Sequence, residues 1–175
     1  MKFLPLFLLL IFFISVSCRP EIKKETDTTS EWSKEHSVDY NREVNEREQL
    51  DILVFLKQHP ALNMDTSSSG LRYMIYKKTE GRKVKSGDNV SVHLKIELLN
   101  GTLCYETDSS EQFEYIKVGK SEVESGIQEG LKLMRIGERA KLILPSYLGH
   151  GLLGDRFTIP PQSILYIDLI VNEIK

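Results

Sequence analysis

The chain has 175 residues, a formal net charge of −2, and aromatic residues at 9% of the total. This length suits a single domain of about 100–200 residues, and the aromatic content is enough for one modest core. A near-neutral charge without a dense basic patch argues against a nucleic-acid partner.

The first residues have the pattern of an export signal rather than of a folded segment. Met1-Lys2 supplies a positive charge, and Phe3–Ile14 is almost wholly apolar apart from Pro5. The run is shorter than the roughly 20 residues that a membrane-spanning helix needs, and it has the length of a signal-peptide core. We therefore predict a lipoprotein signal peptide over residues 1–17.

The segment Ser15-Val16-Ser17 before Cys18 resembles a bacterial lipobox, although Ser15 stands where leucine is commoner. In this interpretation Cys18 is lipidated, and the acyl chains hold the protein on a membrane because each buried CH₂ contributes about 0.8 kcal/mol. The alternative is an ordinary secretory signal with an incidental cysteine.

Cysteine and histidine usage limits the chemistry that the chain can perform. The second cysteine is Cys104, so lipidation of Cys18 would leave it as a lone thiol. No metal-ligand spacing occurs among the four histidines, which are His36, His59, His93 and His150. The sequence predicts neither a metal nor another cofactor.

Two segments precede the predicted domain. Residues 18–38 are too polar to bury a core, and we interpret them as a tether. Residues 39–60 are predicted to hold a helix that ends at His59-Pro60, since a proline disfavours helix at the residue before it. Apolar residues recur at helical spacing only near its C-terminal end, which predicts docking there and a solvated first half. The alternative is a dimerisation helix.

Residues 66–175 are predicted to form an α+β domain. Alternating apolar residues from Val90 to Leu98 indicate a strand with one buried face, and Asn100-Gly101 predicts a hairpin turn. Residues 122–133 are predicted to be helical, with Ser121 and Glu124 as a capping box. Several strands and one helix indicate a sheet with a helix on one face. The further predicted strands are 71–75, 103–107, 113–118, 139–144 and 163–171.

Ordered blocks span this domain: Ser69–Tyr73, Gly87–His93, Asn100-Gly101, Gly130–Leu142, Pro145-Ser146 and Ile159–Pro161. Together they resemble the FKBP-type peptidyl-prolyl isomerases. The resemblance covers Ser69–Ile174 and implies a curved antiparallel sheet wrapped around one short helix. It also implies an enzyme that turns X–Pro bonds between cis and trans in proline-containing polypeptides.

A narrower resemblance adds a location. The lipobox, the charged helix and Ser125–Met134 are together similar to the gliding-motility-associated FKBP-type lipoproteins of Bacteroidota. This implies a lipid-anchored protein of the cell envelope, with the membrane as a partner. Arg19–Lys24 lacks the acidic run that surface lipoproteins of that group carry, so we expect the domain to face the periplasm.

The implied reaction needs no nucleophile. Its barrier is about 18–20 kcal/mol because rotation breaks amide resonance. The twisted imide has less charge separation than the planar one, so a dry apolar cup with a hydrogen-bond donor binds the transition state better than the ground state.

Several positions that correspond to the family's aromatic pocket are altered here. Leu94 replaces a tyrosine, Cys104-Tyr105 replaces a Phe-Asp pair, and Ile127 replaces the tryptophan of the floor. His150 replaces a loop tyrosine, and Ile167 replaces a late aromatic residue. The cup should therefore be apolar but less aromatic.

Other family features are retained. The resemblance assigns Val123, Ile159 and either Phe113 or Tyr115 to the substrate pocket, and it assigns the backbone N–H of Glu124 as a donor to substrate. We predict Glu124, His150 and Ile127 as the catalytic group. The alternatives are that His150 is a surface histidine, that Tyr105 is an ordinary strand residue, and that Cys104 is only a small buried hydrophobe.

Two functions follow from these expectations. The first is a membrane-tethered isomerase that assists the folding of exported proteins, with a link to gliding motility. The second is an FKBP-fold chaperone or partner-binding module with weak catalysis. A third possibility places a partner surface of a motility or secretion component on the 39–58 helix.

Overall fold

A computed structural model describes residues 34–107, 113–120 and 123–175. Its helices are α1, Lys34–Gln58, and α2, Ser125–Leu133, and a 3₁₀ turn spans Ser146–Leu148. The strands are β1 Asp65–Thr66, β2 Arg72–Lys77, β3 Asn89–Leu98, β4 Leu103–Glu106, β5 Glu114–Lys117, β6 Arg139–Leu144 and β7 Leu165–Ile174.

The predicted signal peptide over 1–17, the lipidation site Cys18 and most of the tether over 18–38 lie outside the described residues. Within the described ranges, no helix combines the length and apolar character needed to cross a membrane.

The strands form one antiparallel sheet in the order β1-β2-β6-β7-β3-β4, and β5 also pairs with β3. The longest pairing joins β3 to β7, from Val90 opposite Ile174 to Leu98 opposite Leu165. Alternation along β3 buries Val90, Val92 and Leu94 on one face, as their spacing predicts. This face carries the main core.

Helix α2 packs on that core face at close range. A Cβ atom on Gly130 would lie 2.6 Å from Leu142 Cδ1, and one on Gly126 would lie 2.5 Å from Leu144 Cδ2. Only glycine permits this approach between helix and strand. The arrangement has the predicted α+β architecture, an antiparallel sheet around one short helix with a charged helix before it.

Helix α1 packs on the opposite face of the sheet. Ile52 and Phe55 form a second apolar cluster with Ile143 of β6 and with Ile164. Ile143 alternates with Leu142 and Leu144, which belong to the main core, so the two clusters lie on opposite faces of β6. The C-terminal half of α1 therefore docks on its own domain.

The first half of the predicted helix, residues 39–48, is less solvated than the sequence predicts. Glu48 is only 2% exposed, and its carboxylate accepts a hydrogen bond of 2.8 Å from the Ser146 N–H. The helix also begins at Lys34, five residues before the predicted start at Asp39.

One local prediction is corrected, and the predicted hairpin turn at Asn100-Gly101 is confirmed. Helix α2 begins at Ser125, and Glu124 is its N-cap without a side-chain capping bond, because the Glu124 carboxylate pairs with His150 instead. The β3–β4 hairpin uses positive φ only at Gly101, not at Asn100. Its loop closes through hydrogen bonds from Gly101 N to Leu98 O and from Leu98 N to Thr102 O.

Candidate active site

A cavity of about 510 Å³ opens between β3, β4, β5, the start of α2 and the loop after β6. Its size lies within the range of about 300–1,000 Å³ that is usual for ligand pockets. The residues that line it are Leu94, Ile96, Cys104, Tyr105, Glu114, Val123, Glu124, Ile127, Gly149, His150, Asp155, Thr158 and Ile159.

The inner wall of the cavity is aliphatic. Leu94 of β3, Ile127 of α2 and Ile159 of the loop after β6 are all buried and come from three separate elements. Buried Ile96 and half-buried Val123 complete the apolar surface. Such a wall excludes water and favours an apolar ring.

A backbone donor lies at the edge of this surface. The Glu124 N–H precedes the first turn of α2 and donates to no acceptor within the described ranges. An N–H at a helix start carries part of the positive end of the helix dipole. A substrate carbonyl could accept a hydrogen bond from this N–H without displacing any other acceptor among the described residues.

A side-chain hydrogen bond crosses the mouth between α2 and the loop. His150 Nε2 lies 2.6 Å from Glu124 Oε1, with the two side chains 28% and 15% exposed. Because a carboxylate only accepts hydrogen bonds, the imidazole donates from Nε2. The contact ties the loop after β6 to the start of α2.

Asp155 organises the loop that carries Ile159. Its Oδ1 accepts hydrogen bonds of 2.8, 2.9 and 2.8 Å from the N–H groups of Phe157, Thr158 and Ile159. Although partial desolvation opposes it, this set of bonds lowers the pKa of Asp155. The ionised carboxylate therefore fixes the loop where Ile159 enters the cavity.

The β4 side of the cavity holds a thiol and a phenol. Partial burial, reinforced by the charge of Asp155, raises the pKa of Cys104, which favours the neutral thiol rather than a reactive thiolate. Burial and the nearby Glu114 carboxylate raise the pKa of Tyr105, whose hydroxyl donates to Glu114 Oε2 at 3.1 Å.

Most of the residues predicted from the sequence meet in this cavity. The structure brings together the predicted catalytic group, Glu124, Ile127 and His150. It also places five of the predicted substrate-binding residues in the lining, namely Leu94, Cys104, Tyr105, Val123 and Ile159.

Three predicted residues lie elsewhere. Phe113 and Tyr115 are exposed, and Tyr115 instead contacts Lys175, whose Nζ lies 4.4 Å from the ring centroid. The register of β5 turns Glu114 and Ile116 inward. Glu114 therefore lines the cavity at the place that the sequence assigned to Phe113 or Tyr115. Ile167 is fully buried in the core and does not reach the cavity surface.

The sequence reasoning missed five lining residues, which are Ile96, Glu114, Gly149, Asp155 and Thr158. Ile96 shares the alternation of Leu94 and could have been assigned from it. The pattern Asp155-Arg156-Phe157-Thr158 is compatible with an Asx turn, which is a second available signal. No group of three or more His, Cys, Asp or Glu residues within the described ranges could hold a metal ion.

Comparisons with known proteins identify the class that this fold and cavity define. The family model of the FKBP-type peptidyl-prolyl cis-trans isomerases matches residues 80–171, more than half of the chain. FK506-binding protein 1 of Dictyostelium discoideum is 32% identical over 106 residues, covering 61% of this chain and 99% of that protein. The chain therefore belongs to the FKBP-type peptidyl-prolyl cis-trans isomerase family.

Two bacterial proteins are also similar. The FKBP-type peptidyl-prolyl cis-trans isomerase FkpA of Buchnera aphidicola is 41% identical over 112 residues, covering 62% of this chain and 42% of that protein. The crystal structure of FkpA from Escherichia coli superposes with a TM-score of 0.64 at 26% identity, covering 79% of this chain and 64% of that one. The chain thus spans less than half of the length of the Buchnera relative.

Proposed function

We propose that this chain catalyses the cis–trans isomerisation of X–Pro bonds in polypeptides. The observation that supports it is the aliphatic cavity with the Glu124 N–H at its edge, which donates to no acceptor among the residues that the structure describes. The proline ring enters between Leu94, Ile127 and Ile159, and the N–H binds the carbonyl beside the imide.

The chemistry follows from differential binding of the rotating bond. The planar imide is polar and keeps its resonance best in water, whereas the twisted imide is less polar and gains relative stability in the cavity. The Glu124 N–H fixes one carbonyl while the other side of the bond turns. Every 1.36 kcal/mol of such preference accelerates rotation tenfold.

A protease-coupled assay on an X–Pro peptide tests the proposal. The purified full chain should accelerate the slow phase in proportion to its concentration. Val123→Arg places a charge at the cavity mouth and should abolish the acceleration. The matched control is Leu103→Arg, an exposed β4 position outside the lining, which should remain active. A slow phase unchanged by the full chain contradicts the proposal.

The proposed setting is the cell envelope. We propose that Cys18 carries the lipid, that the domain faces the periplasm, and that it assists folding of exported proteins, with a link to gliding motility. Support comes from the apolar leader before Cys18 and from the resemblance of Ser125–Met134 to motility-associated lipoproteins. In the native host, Cys18→Ser should abolish labelling by a fatty-acid analogue and release the protein from membranes. Unchanged membrane retention and labelling contradict the anchor.

A second candidate function is a binding module with weak catalysis. The observation that favours it is the small number of rings at the cavity, where Tyr105 and His150 supply those of the described lining. An aliphatic floor gives proline less contact area than an aromatic one. A peptide that binds without faster isomerisation would support this function over the first.

A further inference from the structure

The His150–Glu124 contact determines which hydrogen bonds the cavity mouth can make. Nε2 donates to the Glu124 carboxylate at 2.6 Å, so in a neutral imidazole the proton is on Nε2 and Nδ1 is a bare acceptor. A hydroxyl at the same place could donate to a substrate carbonyl, but neutral His150 cannot donate from Nδ1. Toward a bound molecule, neutral His150 therefore offers Nδ1 as a hydrogen-bond acceptor and not as a donor.

The other polar side chains of the lining also offer a bound molecule hydrogen-bond acceptors or negative charge rather than free donors. The Tyr105 hydroxyl is already committed to Glu114 Oε2, and Asp155 and Glu114 contribute carboxylates. The described lining contains no Lys or Arg, and no described cation pairs with Glu114. Apart from the Glu124 N–H, the mouth offers acceptors and negative charge.

We propose that Glu124 is a positioning residue that holds His150 in the Nε2–H form, and that the resulting acceptor-rich mouth selects proline bonds next to a lysine or arginine. The inference rests on the proposed isomerase function, since it names the substrate class of that cavity. The aliphatic wall takes the proline ring, and the ammonium or guanidinium group beside it donates to His150 Nδ1 and lies near Glu114.

The first test reads the imidazole directly and does not depend on catalysis. Nitrogen NMR of the full chain at about pH 8, where an ordinary imidazole is neutral, should show a protonated Nε2 and a bare Nδ1 for His150. Glu124→Ala keeps the backbone N–H but removes the acceptor, and should give averaged shifts from mixed tautomers. A proton on Nδ1 of the wild-type chain overturns the proposal.

The second test compares peptides that differ only in the residue before proline. With Lys, Leu and Glu at that position, both affinity by NMR titration and kcat/KM should fall in that order, with Lys about tenfold better than Glu. Glu124→Ala and Glu114→Gln should each shrink this ratio. Glu129→Gln on α2 removes the same charge outside the cavity lining and should leave it unchanged.

The outcomes separate this inference from the proposed function. Lysine-selective binding without faster isomerisation would reject the enzyme and retain the selectivity. Faster isomerisation with Leu or Glu preferred would reject the selectivity and retain the enzyme. Failure of all three peptides to bind overturns the inference.

Discussion

Ile127 forms the floor of the cavity, buried where α2 meets the sheet. An aliphatic side chain keeps the floor dry but offers a proline ring only a narrow surface. A flat indole covers more of the proline ring, and at about 25 cal/mol per Å² of buried apolar area the gain is on the order of 1 kcal/mol. In the proposed function, the floor therefore limits how strongly the cavity binds a proline ring and how far it accelerates rotation about the prolyl bond.

Replacing Ile127 by Trp should raise kcat/KM on an X–Pro peptide by about two- to tenfold, because the indole widens the surface under the ring. The protease-coupled assay measures the change, and Ile127→Leu is the size-conserving control that should give no gain. An unchanged kcat/KM with the new indole buried, as its fluorescence reports, would show that Ile127 is not the floor.

Asp155 acts through the loop that it fixes. Asp155→Ala leaves three backbone N–H groups without their acceptor, so we expect a higher KM and faster hydrogen exchange at Phe157, Thr158 and Ile159. Asp155→Asn keeps an acceptor oxygen without the charge and should be intermediate. Equal hydrogen-exchange rates at these three amides in the wild-type chain, Asp155→Ala and Asp155→Asn would contradict this role of Asp155.

The same bonds give the loop a pH dependence. The folded chain lowers the pKa of Asp155, so the stabilisation is complete above the ordinary aspartate pKa of about 3.9 and is lost as pH falls through the lower folded value. The protection of the loop amides from hydrogen exchange should therefore persist through mildly acidic pH and fall only as the Asp155 carboxylate becomes protonated below its ordinary pKa. This fall should be absent in Asp155→Asn.

At the residue scale, the sequence predicted the aliphatic positions better than the polar ones. Leu94, Val123 and Ile159 follow from alternation and from the family resemblance. Glu114 could not be assigned, because strand periodicity leaves the choice between odd and even positions of a short strand open. The Glu124–His150 contact joins residues far apart in sequence, and no local pattern specifies it.

At the scale of the element, α2 depends on two glycines that face β6. In an exposed helix, Gly130→Ala would gain about 1 kcal/mol of propensity. Here the new Cβ would lie 2.6 Å from Leu142 Cδ1 in a filled core, and overpacking costs about 1–3 kcal/mol. The cost of overpacking should exceed the gain in helix propensity because Leu142 is fully buried and cannot move aside.

Gly130→Ala should therefore lower the free energy of unfolding by about 1–2 kcal/mol, measured from urea midpoints at constant m. In a Leu142→Ala background the clash is gone, and the same substitution should become neutral or stabilising. A gain in stability in the wild-type background would show that the helix does not approach β6 as closely as described.

Element starts were harder to predict than element types. The apolar face of α2 was evident from its spacing, but its first residue was not, because Glu124 uses its carboxylate for a distant histidine rather than for a capping box. Tertiary contacts of this kind override local capping preferences.

At the scale of the molecule, the sheet is covered on both faces. The main core lies under α2, and α1 covers the other face through Ile52 and Phe55. The sequence indicated this docking from the apolar positions near the end of α1. It could not indicate the burial of Glu48, which depends on the Ser146 N–H, distant in the chain.

If α1 is part of the domain, Ile52→Ala should lower the free energy of unfolding by about 2–5 kcal/mol through the cavity that it leaves. Leu53→Ala is the matched control, since Leu53 is 55% exposed, and it should change stability by no more than about 0.5 kcal/mol. Equal small effects in urea unfolding would mean that α1 is a separate, loosely attached helix.

The central claim is that the cavity accelerates rotation about a prolyl bond. Exchange NMR measures this most directly, because it follows the cis and trans signals of an X–Pro peptide at equilibrium and needs no coupling protease. We expect a catalytic amount of the full chain to shorten the exchange time well below its spontaneous value of tens to hundreds of seconds. Val123→Arg should restore the spontaneous exchange time. An exchange rate unchanged by the folded wild-type chain would contradict the account.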